Sequence, residues 1–555
     1  MIPKNPIAGL PTHEVINTPP HLGDQDLWGD DAPLQEWVAS QGAGGLRDRL
    51  AISGKRFGAA EVFEKADQAN RFPPQLKAFD RYGMRVNQVE YHPAYHDLMA
   101  LAIENEVPSF AWRNEVPGAQ VGHAALTYMF NQVEGGVMCP MAMVYSVIPS
   151  LKTTPAIADE WIPRLLSTSY DPRDIPMTEK TGATIGMFMT EKQGGSDVRT
   201  NTTRAVPVGS TTGIGAEYLL TGHKFFCSAP MCDAFLTLAY SEGGLSCFLL
   251  PRWKPDGARN GLYIQRLKDK LGNRSNASAE IEFQDTYGVM VGEEGRGIRT
   301  IIEMVQGNRI YCAMSSAGLM RQALVQALHH TSHRSAFQKR LIQQPLMRNV
   351  LADLAIEVEA ALALGLRIAR AIDESANNEA AAALARIGTA VAKYWNCKRA
   401  PAQIFEALEC LGGSGYIEES IMPRLYREAP VNSIWEGSGN LMCLDVLRAI
   451  GREPAAIPAL FAELDAAKGA DSRLDSAIEE LRRDLDTAAE METRARSLTE
   501  RMALTLQGAL LVRYAPAEVA EAFCASRLAN RWSGAYGTLP PNLDFDAIIA
   551  RAQHP

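Results

Sequence analysis

The chain has 555 residues and a formal net charge of −9 at pH 7, with 46% hydrophobic and 21% charged residues. This composition is typical of a globular protein with several packed units, and the acidic balance argues against a surface that binds polyanions throughout. The nine cysteines include no CxxC pair and the ten histidines form no zinc motif, so the sequence predicts reduced thiols and no metal centre.

The sequence shows no sign of a membrane or export segment. No apolar run reaches the roughly 20 residues that span a bilayer. The first thirty residues are rich in proline and acidic residues, whereas a secretory signal has a basic start and an apolar core. We therefore expect a cytoplasmic protein, and we assign no role to residues 1–33.

The pattern changes from helical to β within the first half of the chain. In residues 34–166, apolar side chains recur three and four positions apart. In residues 186–292, short apolar runs are separated by Gly, Asp, Asn and Ser, which indicates strands joined by turns. The predicted strands are TIGMFMT, EYLLTGHKFF, AFLTLAY, LSCFLLP, LYIQRL and AEIEFQD. In the last of these, Ala279, Ile281 and Phe283 alternate with polar residues, as in a half-buried strand.

Helical spacing returns at about residue 297 and continues to the end of the chain. Met347, Val350, Leu354 and Val358 lie on one face of a long predicted helix. A Gly and Pro break at residues 451–454 separates this region from further helices. The sequence therefore predicts an α+β fold with an N-terminal helical domain (1–185), an antiparallel β domain (186–292), a helical bundle (293–450) and a C-terminal helical domain (451–555).

A series of short motifs follows the order of these elements. The first, TEKQGGSD at residues 190–197, is a turn whose glycines allow a ligand to approach the backbone. For a match this short, an ordinary Gly-Gly turn is the simpler interpretation, and the sequence contains neither a Rossmann GxGxxG nor a P-loop. The later motifs are GHKFFCS at 222–228, LGNRS at 271–275, GEEGRG at 292–297, an RxxF element at 334–337, LGGSGY at 411–416 and EGS at 436–438.

In this order, the motifs resemble those of the acyl-CoA dehydrogenases, and the resemblance covers residues 34–555. The similarity is greatest to the AidB branch, the alkylation-response flavoproteins, in the segments MTEKQGGSDV, RLKDKLGNRSNAS, LIQQPLMR and PRLYREAPVNSIWEGSGN. A helical extension after the bundle is a hallmark of that branch. The resemblance implies an acyl-CoA dehydrogenase-like fold, an FAD cofactor that is shared between chains, and hence a homo-oligomer, which in this family is a tetramer.

The resemblance also implies which residues bind FAD. Arg334 would reach the FAD diphosphate of a neighbouring subunit, a role that suits a permanently charged guanidinium group with several donors. The alternative interpretation is a solvated charge on a helix. Phe226 would form part of a flavin wall, whereas its spacing alone favours a core aromatic residue. The remaining candidates are Met187, Phe188, Met189, Thr190, Ser196, Cys227, Ser228, Ile434, Trp435, Gly437, Ser438, Gly439 and Asn440.

Glu436 is the candidate catalytic residue. Many acyl-CoA dehydrogenases keep their base in the EG[ST] loop, and others keep it just before an arginine on an earlier helix. The resemblance identifies that arginine with Arg309, a candidate substrate contact, and the residue before it is Asn308, which cannot act as a base. The resemblance thus implies that Glu436 removes an α-proton. The same stretch is also compatible with a loop that enters a helix capped by Asn440.

Two functions stay open at this point. The protein is either an alkylation-response flavoprotein that binds double-stranded DNA and has weak activity on an isovaleryl-CoA-like thioester, or a working acyl-CoA dehydrogenase of metabolism without DNA binding. Residues 452–555 carry twelve cations and sixteen acidic residues, a net charge of −4. A DNA-binding C-terminal domain would therefore concentrate its arginines on one face, but solvated amphipathic helices have the same composition.

Overall fold

The computed structural model describes residues 9–487, 489–529 and 534–553. The described residues belong to two compact units. The first unit is drawn from Met1–Glu64, Val116–Val133 and Ile310–Pro555, and the second from Lys65–Glu115 and Glu134–Arg309. The limits of the four domains expected from the sequence stay a prediction. Within the described ranges, no helix is long and apolar enough to cross a membrane.

Helices account for most of the regular structure. The α-helices are α1 (Ala32–Val38), α2 (Arg47–Gly58), α3 (Ala60–Arg71), α4 (Pro93–Glu104), α5 (Phe110–Arg113), α6 (Ala119–Asn131), α7 (Met138–Lys152), α8 (Pro155–Leu165), α9 (Gly297–His333), α10 (Pro345–Glu374), α11 (Glu379–Cys410), α12 (Gly413–Tyr416), α13 (Met422–Asn432), α14 (Gly439–Arg452), α15 (Ala456–Asp465), α16 (Ser472–Asp486), α17 (Met491–Tyr514), α18 (Ala517–Phe523) and α19 (Phe545–Ala552).

The strands form one large sheet and two small hairpins. The strands are β1 (Gln75–Phe79), β2 (Arg85–Glu90), β3 (Ile185–Phe188), β4 (Arg204–Pro207), β5 (Glu217–Ser228), β6 (Ala234–Ser241), β7 (Gly244–Pro251), β8 (Leu262–Leu267), β9 (Ser278–Val291), β10 (Ser335–Ala336) and β11 (Lys339–Arg340). β1 pairs with β2, and β10 with β11.

The large sheet of the second unit curves back on itself. Its strand order is β3-β6-β4-β5-β9-β7. Because β7 also pairs with β6, the strands β6, β4, β5, β9 and β7 form a closed ring. β8 is not part of this ring and pairs with β9. Most pairings are antiparallel, as expected, but β3 and β4 run parallel to β6. Closing the sheet leaves fewer free edges and encloses a core of apolar side chains.

The periodicity of the sequence placed the long elements correctly. All six strands named from their pattern are present, and Ala279, Ile281 and Phe283 are buried on β9 while the polar residues between them are more exposed. In the first unit, Leu354 and Val358 are buried on α10. All nine cysteines are free thiols, as predicted, and all nine are buried. Together these elements confirm the α+β class.

Three short β elements were not expected. The hairpin of β1 and β2 interrupts the region predicted to be helical, and neither β4 nor the two-residue strands β10 and β11 were predicted. These strands are short and mostly half-exposed, so they carry little of the apolar alternation on which a strand prediction depends.

A buried ionic network joins the C-terminal helices to the bundle within the first unit. Arg527, in a π-helical turn at Cys524–Leu528, donates to Asp353 at 2.5 Å and to Glu357 at 2.8 Å. Arg399 on α11 donates to Glu357 at 2.8 Å. Burial alone would raise the pKa of Glu357, but the two arginines outweigh it and lower that pKa to about 2.

Candidate active site

In the second unit, the predicted flavin-wall residues lie in β3, in the segment that follows it and in the C-terminal part of β5. The Phe225 amide donates to the Thr190 carbonyl at 2.8 Å, which aligns the segment after β3 with the aromatic part of β5. The Phe188 side chain is buried and stacks on Phe235 with ring centroids 4.0 Å apart, and the Cys227 thiol is also buried. Phe188 and Cys227 can therefore offer only backbone atoms to a ligand.

Other predicted residues of this group are accessible. The Phe226 side chain is 51% exposed, Ser196 is exposed, and Met187, Met189 and Thr190 are half-buried. Phe226 is therefore not a core aromatic residue, contrary to what its spacing alone favoured. The ammonium of Lys268 lies 4.7 Å from the Phe226 ring centroid, close enough for a cation–π contact that restricts the ring.

A buried ion pair that was not predicted from the sequence holds the turn at residues 190–197. Glu191 and Lys224 are both fully buried and form an ion pair of 2.9 Å. Glu191 also accepts hydrogen bonds from the amide and hydroxyl groups of Thr202 and Thr203. Gly195 packs against the turn, because a Cβ there would lie 2.3 Å from Thr190 Oγ1. The Glu of the TEKQGGSD motif and the Lys of GHKFFCS are thus structural partners.

In the first unit, Glu436 occupies a strained turn between α13 and α14. Its φ is +57° and that of Gly437 is +103°, two successive residues in the left-handed region. A non-glycine residue in this region is uncommon, and such strain clusters at functional sites because the surrounding structure must enforce it. Ile434 is exposed, whereas Trp435 and Glu436 are half-buried.

The helix after this turn begins earlier than predicted. α14 starts at Gly439, and its N-cap is Ser438, whose φ of −66° and ψ of 169° are extended. Asn440 lies in the first helical turn and is not the cap. The helix N-terminus therefore lies two residues closer to Glu436 than predicted, and Ser438 caps it through its extended backbone without a capping hydrogen bond from its side chain.

A chain of buried hydrogen bonds fixes Trp435. Its indole Nε1 donates to Asn432 Oδ1 at 3.1 Å, and Asn432 Nδ2 donates to Ser315 Oγ at 3.1 Å. Ser315 Oγ in turn donates to Asn131 Oδ1 at 2.8 Å, which also accepts from Tyr311 Oη at 3.3 Å. These residues come from α6, α9 and α13, so the residue next to Glu436 is anchored to three helices.

The N-terminus of α14 is electropositive. A Cβ on Gly439 would lie 2.8 Å from Lys398 Cε and 3.2 Å from Arg496 Nη2, so both cationic side chains pack against this backbone. The amide groups of a helix N-terminus add a partial positive charge. This donor set fits an anionic group such as the diphosphate of FAD.

Arg334 and Arg309 lie in different surroundings. Arg334 is exposed and donates to the Asn17 carbonyl at 2.9 Å, and Ser335 and Asn17 exchange two further hydrogen bonds. Arg309 is buried on α9. Asn308 is only 2% exposed, and its Oδ1 accepts from Ser146 at 2.9 Å. An amide in a hydrogen bond of this kind is no base, which agrees with its exclusion from that role.

These features define a flavoprotein of the acyl-CoA dehydrogenase class, with helices before a closed β domain, a bundle after it, and a glutamate in the loop that enters α14. Family models agree along the chain. Residues 17–172 match the adaptive response protein AidB N-terminal domain, residues 186–286 the acyl-CoA dehydrogenase middle domain, and residues 295–451 the acyl-CoA dehydrogenase C-terminal domain.

Two similar proteins place the chain in a narrower group of the acyl-CoA dehydrogenases. The chain is 45% identical to the putative acyl-CoA dehydrogenase AidB of Escherichia coli (strain K12), over 94% of this chain and 95% of that protein. It is 31% identical to acyl-CoA dehydrogenase family member 11 of Caenorhabditis elegans, over 84% of this chain and 80% of that one. The protein therefore belongs to the AidB-like acyl-CoA dehydrogenases and is an FAD-dependent oxidoreductase of that type.

Solved structures support the same fold. The crystal structure of Caenorhabditis elegans ACDH-11 in complex with C11-CoA superposes with a TM-score of 0.84 at 29% identity, covering 94% of each chain. Butyryl-CoA dehydrogenase from Megasphaera elsdenii superposes with a TM-score of 0.57 at 21% identity, over 73% of this chain and 98% of that one, which supports the fold alone.

Proposed function

We propose that the protein dehydrogenates an acyl-CoA thioester with Glu436 as the base that removes the α-proton. The observation that carries this proposal is the conformation of residues 435–437, where a half-buried carboxylate is held in a left-handed turn next to a helix N-terminus. A non-glycine residue in this conformation costs free energy, and such residues cluster at sites where the position of the side chain matters for function.

The roles of the chain's own residues follow from their chemistry. FAD, when bound, supplies the acceptor for the hydride that leaves the β-carbon. Glu436 takes the proton from the α-carbon, and the electron pair of that bond forms the new double bond. Trp435 is proposed to shield the carboxylate from water on one side. Arg309 is proposed to contact the substrate, and C11-CoA bound to ACDH-11 supports an acyl-CoA as the substrate class.

Flavin bleaching under anaerobic conditions tests the proposal. We expect acyl-CoA thioesters of graded length and branching to reduce the flavin of the wild-type protein, and Glu436→Gln to lower the rate by at least about 10³-fold while FAD stays bound. Glu518→Gln, at an exposed position on α18, is the matched control. If Glu436→Gln bleaches at the rate of the wild type, another group is the base.

We also propose a second function, binding of duplex DNA by the C-terminal helices in the response to alkylation damage. The name of the matching N-terminal family model and of the Escherichia coli relative support it. Of the C-terminal cations that the structure describes, eight are paired with carboxylates, and Arg452, Arg483 and Arg496 have none within 4.0 Å. Arg531 lies outside the described residues. Because Arg496 packs against the N-terminus of α14, DNA binding would depend on Arg452 and Arg483.

Adjacent arginines on α16 allow a matched test. Arg482 is paired with Asp465 at 2.6 Å, whereas Arg483 is exposed and donates only to a backbone carbonyl. In titrations of duplex DNA at graded ionic strength, Arg452→Ala and Arg483→Ala should each weaken binding and reduce the salt slope by about 1, and Arg482→Ala should change neither. Absence of binding at low salt would reject this function without affecting the dehydrogenase proposal.

We further propose a homotetramer in which Arg334 contacts the FAD of a neighbouring chain. The Phe337 side chain of the same RxxF element is 93% exposed, and Leu346 and Tyr416 are also largely exposed. Apolar side chains of this size are often covered by a partner surface. Light scattering after size-exclusion chromatography would measure four chains for the wild type, and a monomeric particle would contradict the proposal.

A further inference from the structure

Lys393 on α11 makes the contacts that define the backbone around Glu436. Its side chain is 1% exposed, and Nζ donates to the carbonyl of Trp435 at 3.0 Å and to that of Gly437. These carbonyls belong to the residues immediately before and after Glu436. One ammonium group therefore bridges the carbonyl groups of the residues on either side of the proposed base.

The left-handed turn and this bridge depend on each other. With Glu436 at a φ of +57°, the carbonyls on either side of it converge on the same point, where Lys393 Nζ lies. Without a donor there, two partly buried carbonyl groups would lose their hydrogen bonds, and a negative φ at Glu436 would become the more favourable conformation. A different set of residues holds the neighbouring indole, through Asn432. The Lys393 bridge and the hydrogen bond of the Trp435 indole are thus two separate restraints on the loop around Glu436.

A lysine is an unusual choice for a buried position. Burying an ammonium is unfavourable unless its protons find acceptors, and a well-packed apolar side chain would give α11 more stability. The residues around it on α11 are apolar or small, in the run TAVAKYW. The presence of a charged donor here is explained by the two carbonyls that it orients and not by the packing of the helix.

We propose that Lys393 is a positioning residue for catalysis, which acts through the backbone of residues 435–437 to aim the Glu436 carboxylate. This inference rests on the proposed function, in which Glu436 is the base. Lys393 itself does not touch the substrate. Without the bridge, the Glu436 carboxylate would still be present but would no longer be held in one orientation. The proton-transfer step would therefore slow, while substrate binding would stay intact.

Two substitutions test the bridge on the FAD-loaded protein. Lys393→Met keeps an unbranched side chain, one atom shorter, and removes the donors. We expect kcat for flavin reduction to fall by about 10²-fold with KM unchanged within about twofold. Lys393→Arg keeps a charged donor and should recover about a tenth or more of the wild-type rate. Lys468→Met, at an exposed ion pair on the surface, is the control and should retain the wild-type rate.

Hydrogen exchange gives a readout that does not depend on activity. In Lys393→Met, amides of residues 434–440 should exchange at least about tenfold faster than in the wild type, while the amides of α10 keep their protection. Lys393→Arg should show intermediate exchange. Circular dichroism will show whether Lys393→Met is folded. If it is unfolded, the test is the exchange of the loop amides in Lys393→Arg compared with the wild type.

The outcomes separate this inference from the function on which it rests. If Glu436→Gln abolishes flavin reduction but Lys393→Met leaves both kcat and loop exchange unchanged, the positioning role is wrong and the base assignment stands. If Glu436→Gln retains wild-type reduction, the base assignment is wrong, and faster loop exchange in Lys393→Met would then indicate a purely structural bridge. A slower kcat together with faster loop exchange, both partly recovered by arginine, supports the proposal.

Discussion

Glu191 and Lys224 form an ion pair of 2.9 Å in which both side chains are fully buried. Burial favours the uncharged form of each group, yet the charge of Lys224 and hydrogen bonds from Thr202 and Thr203 hold the pKa of Glu191 well below its ordinary value. The pair ties the turn after β3 to the middle of β5, which is the part of the sheet that carries the predicted flavin-wall residues.

Removing one member of this pair should be strongly destabilising. Lys224→Met leaves a buried carboxylate without its counter-charge, so we expect the free energy of unfolding to fall by about 3–5 kcal/mol. The double variant Glu191→Leu/Lys224→Met removes both charges and should recover part of that loss. Urea unfolding of the three proteins measures the difference. Equal stability of the single and double variants would contradict a charge-based explanation.

The ionic network at Glu357 predicts a dependence of stability on pH. The pKa of Glu357 is lowered from 4.5 to about 2 in the folded protein, because Arg399 and Arg527 outweigh the opposing effect of burial. A carboxyl group with a depressed pKa adds stability above its unfolded pKa and loses it as the pH falls toward the folded value. The contribution of Glu357 should therefore be full above about pH 5 and decline between about pH 4.5 and 2.

Thermal unfolding as a function of pH measures this contribution. The stability difference between the wild type and Glu357→Gln should be on the order of 3 kcal/mol at pH 7 and shrink as the pH falls below 4. Glu379→Gln, at an exposed residue in the first turn of α11, provides the control. A difference for Glu357→Gln that does not change with pH would show that packing, and not charge, accounts for it.

Phe226 and Phe79 allow a matched test of the flavin wall, since each side chain is 51% exposed. The Phe226 ring contacts Lys268 and follows Phe225, whose amide donates to the Thr190 carbonyl, whereas Phe79 ends β1 in the unexpected hairpin. We expect Phe226→Ala to raise the Kd for FAD by about tenfold, equivalent to about 1.4 kcal/mol. Phe79→Ala should leave the Kd unchanged. Flavin fluorescence on dilution of the loaded protein gives both values.

Arg334 tests the sharing of FAD between chains. Arg334→Ala removes the proposed contact to the cofactor of a neighbouring subunit, so FAD should dissociate faster while the tetramer persists. Lys339→Ala changes a nearby exposed cation in the same hairpin and serves as the control. Loss of the tetramer without a change in FAD release would place Arg334 in the subunit contact and not at the cofactor.

The sequence alone determined the class of fold and the position of the proposed base. Apolar alternation and helical spacing are local properties, so the strand at Ala279, Ile281 and Phe283 and the stripe on α10 could be predicted from a few neighbouring residues. The ordered motifs placed Glu436 in its loop. Short, half-exposed elements such as β1 and β2 carry too little of this pattern to be seen.

The tertiary structure decided which distant groups meet. Lys393 lies 42 and 44 residues before the two carbonyls that it bridges, and Glu191 lies 33 residues before Lys224. It also showed that Phe188 and Cys227 face the core, and that most C-terminal arginines are already paired with carboxylates. Hydrogen bonds and ion pairs depend on distances of a few ångströms between segments far apart in the chain, and no local pattern encodes those distances.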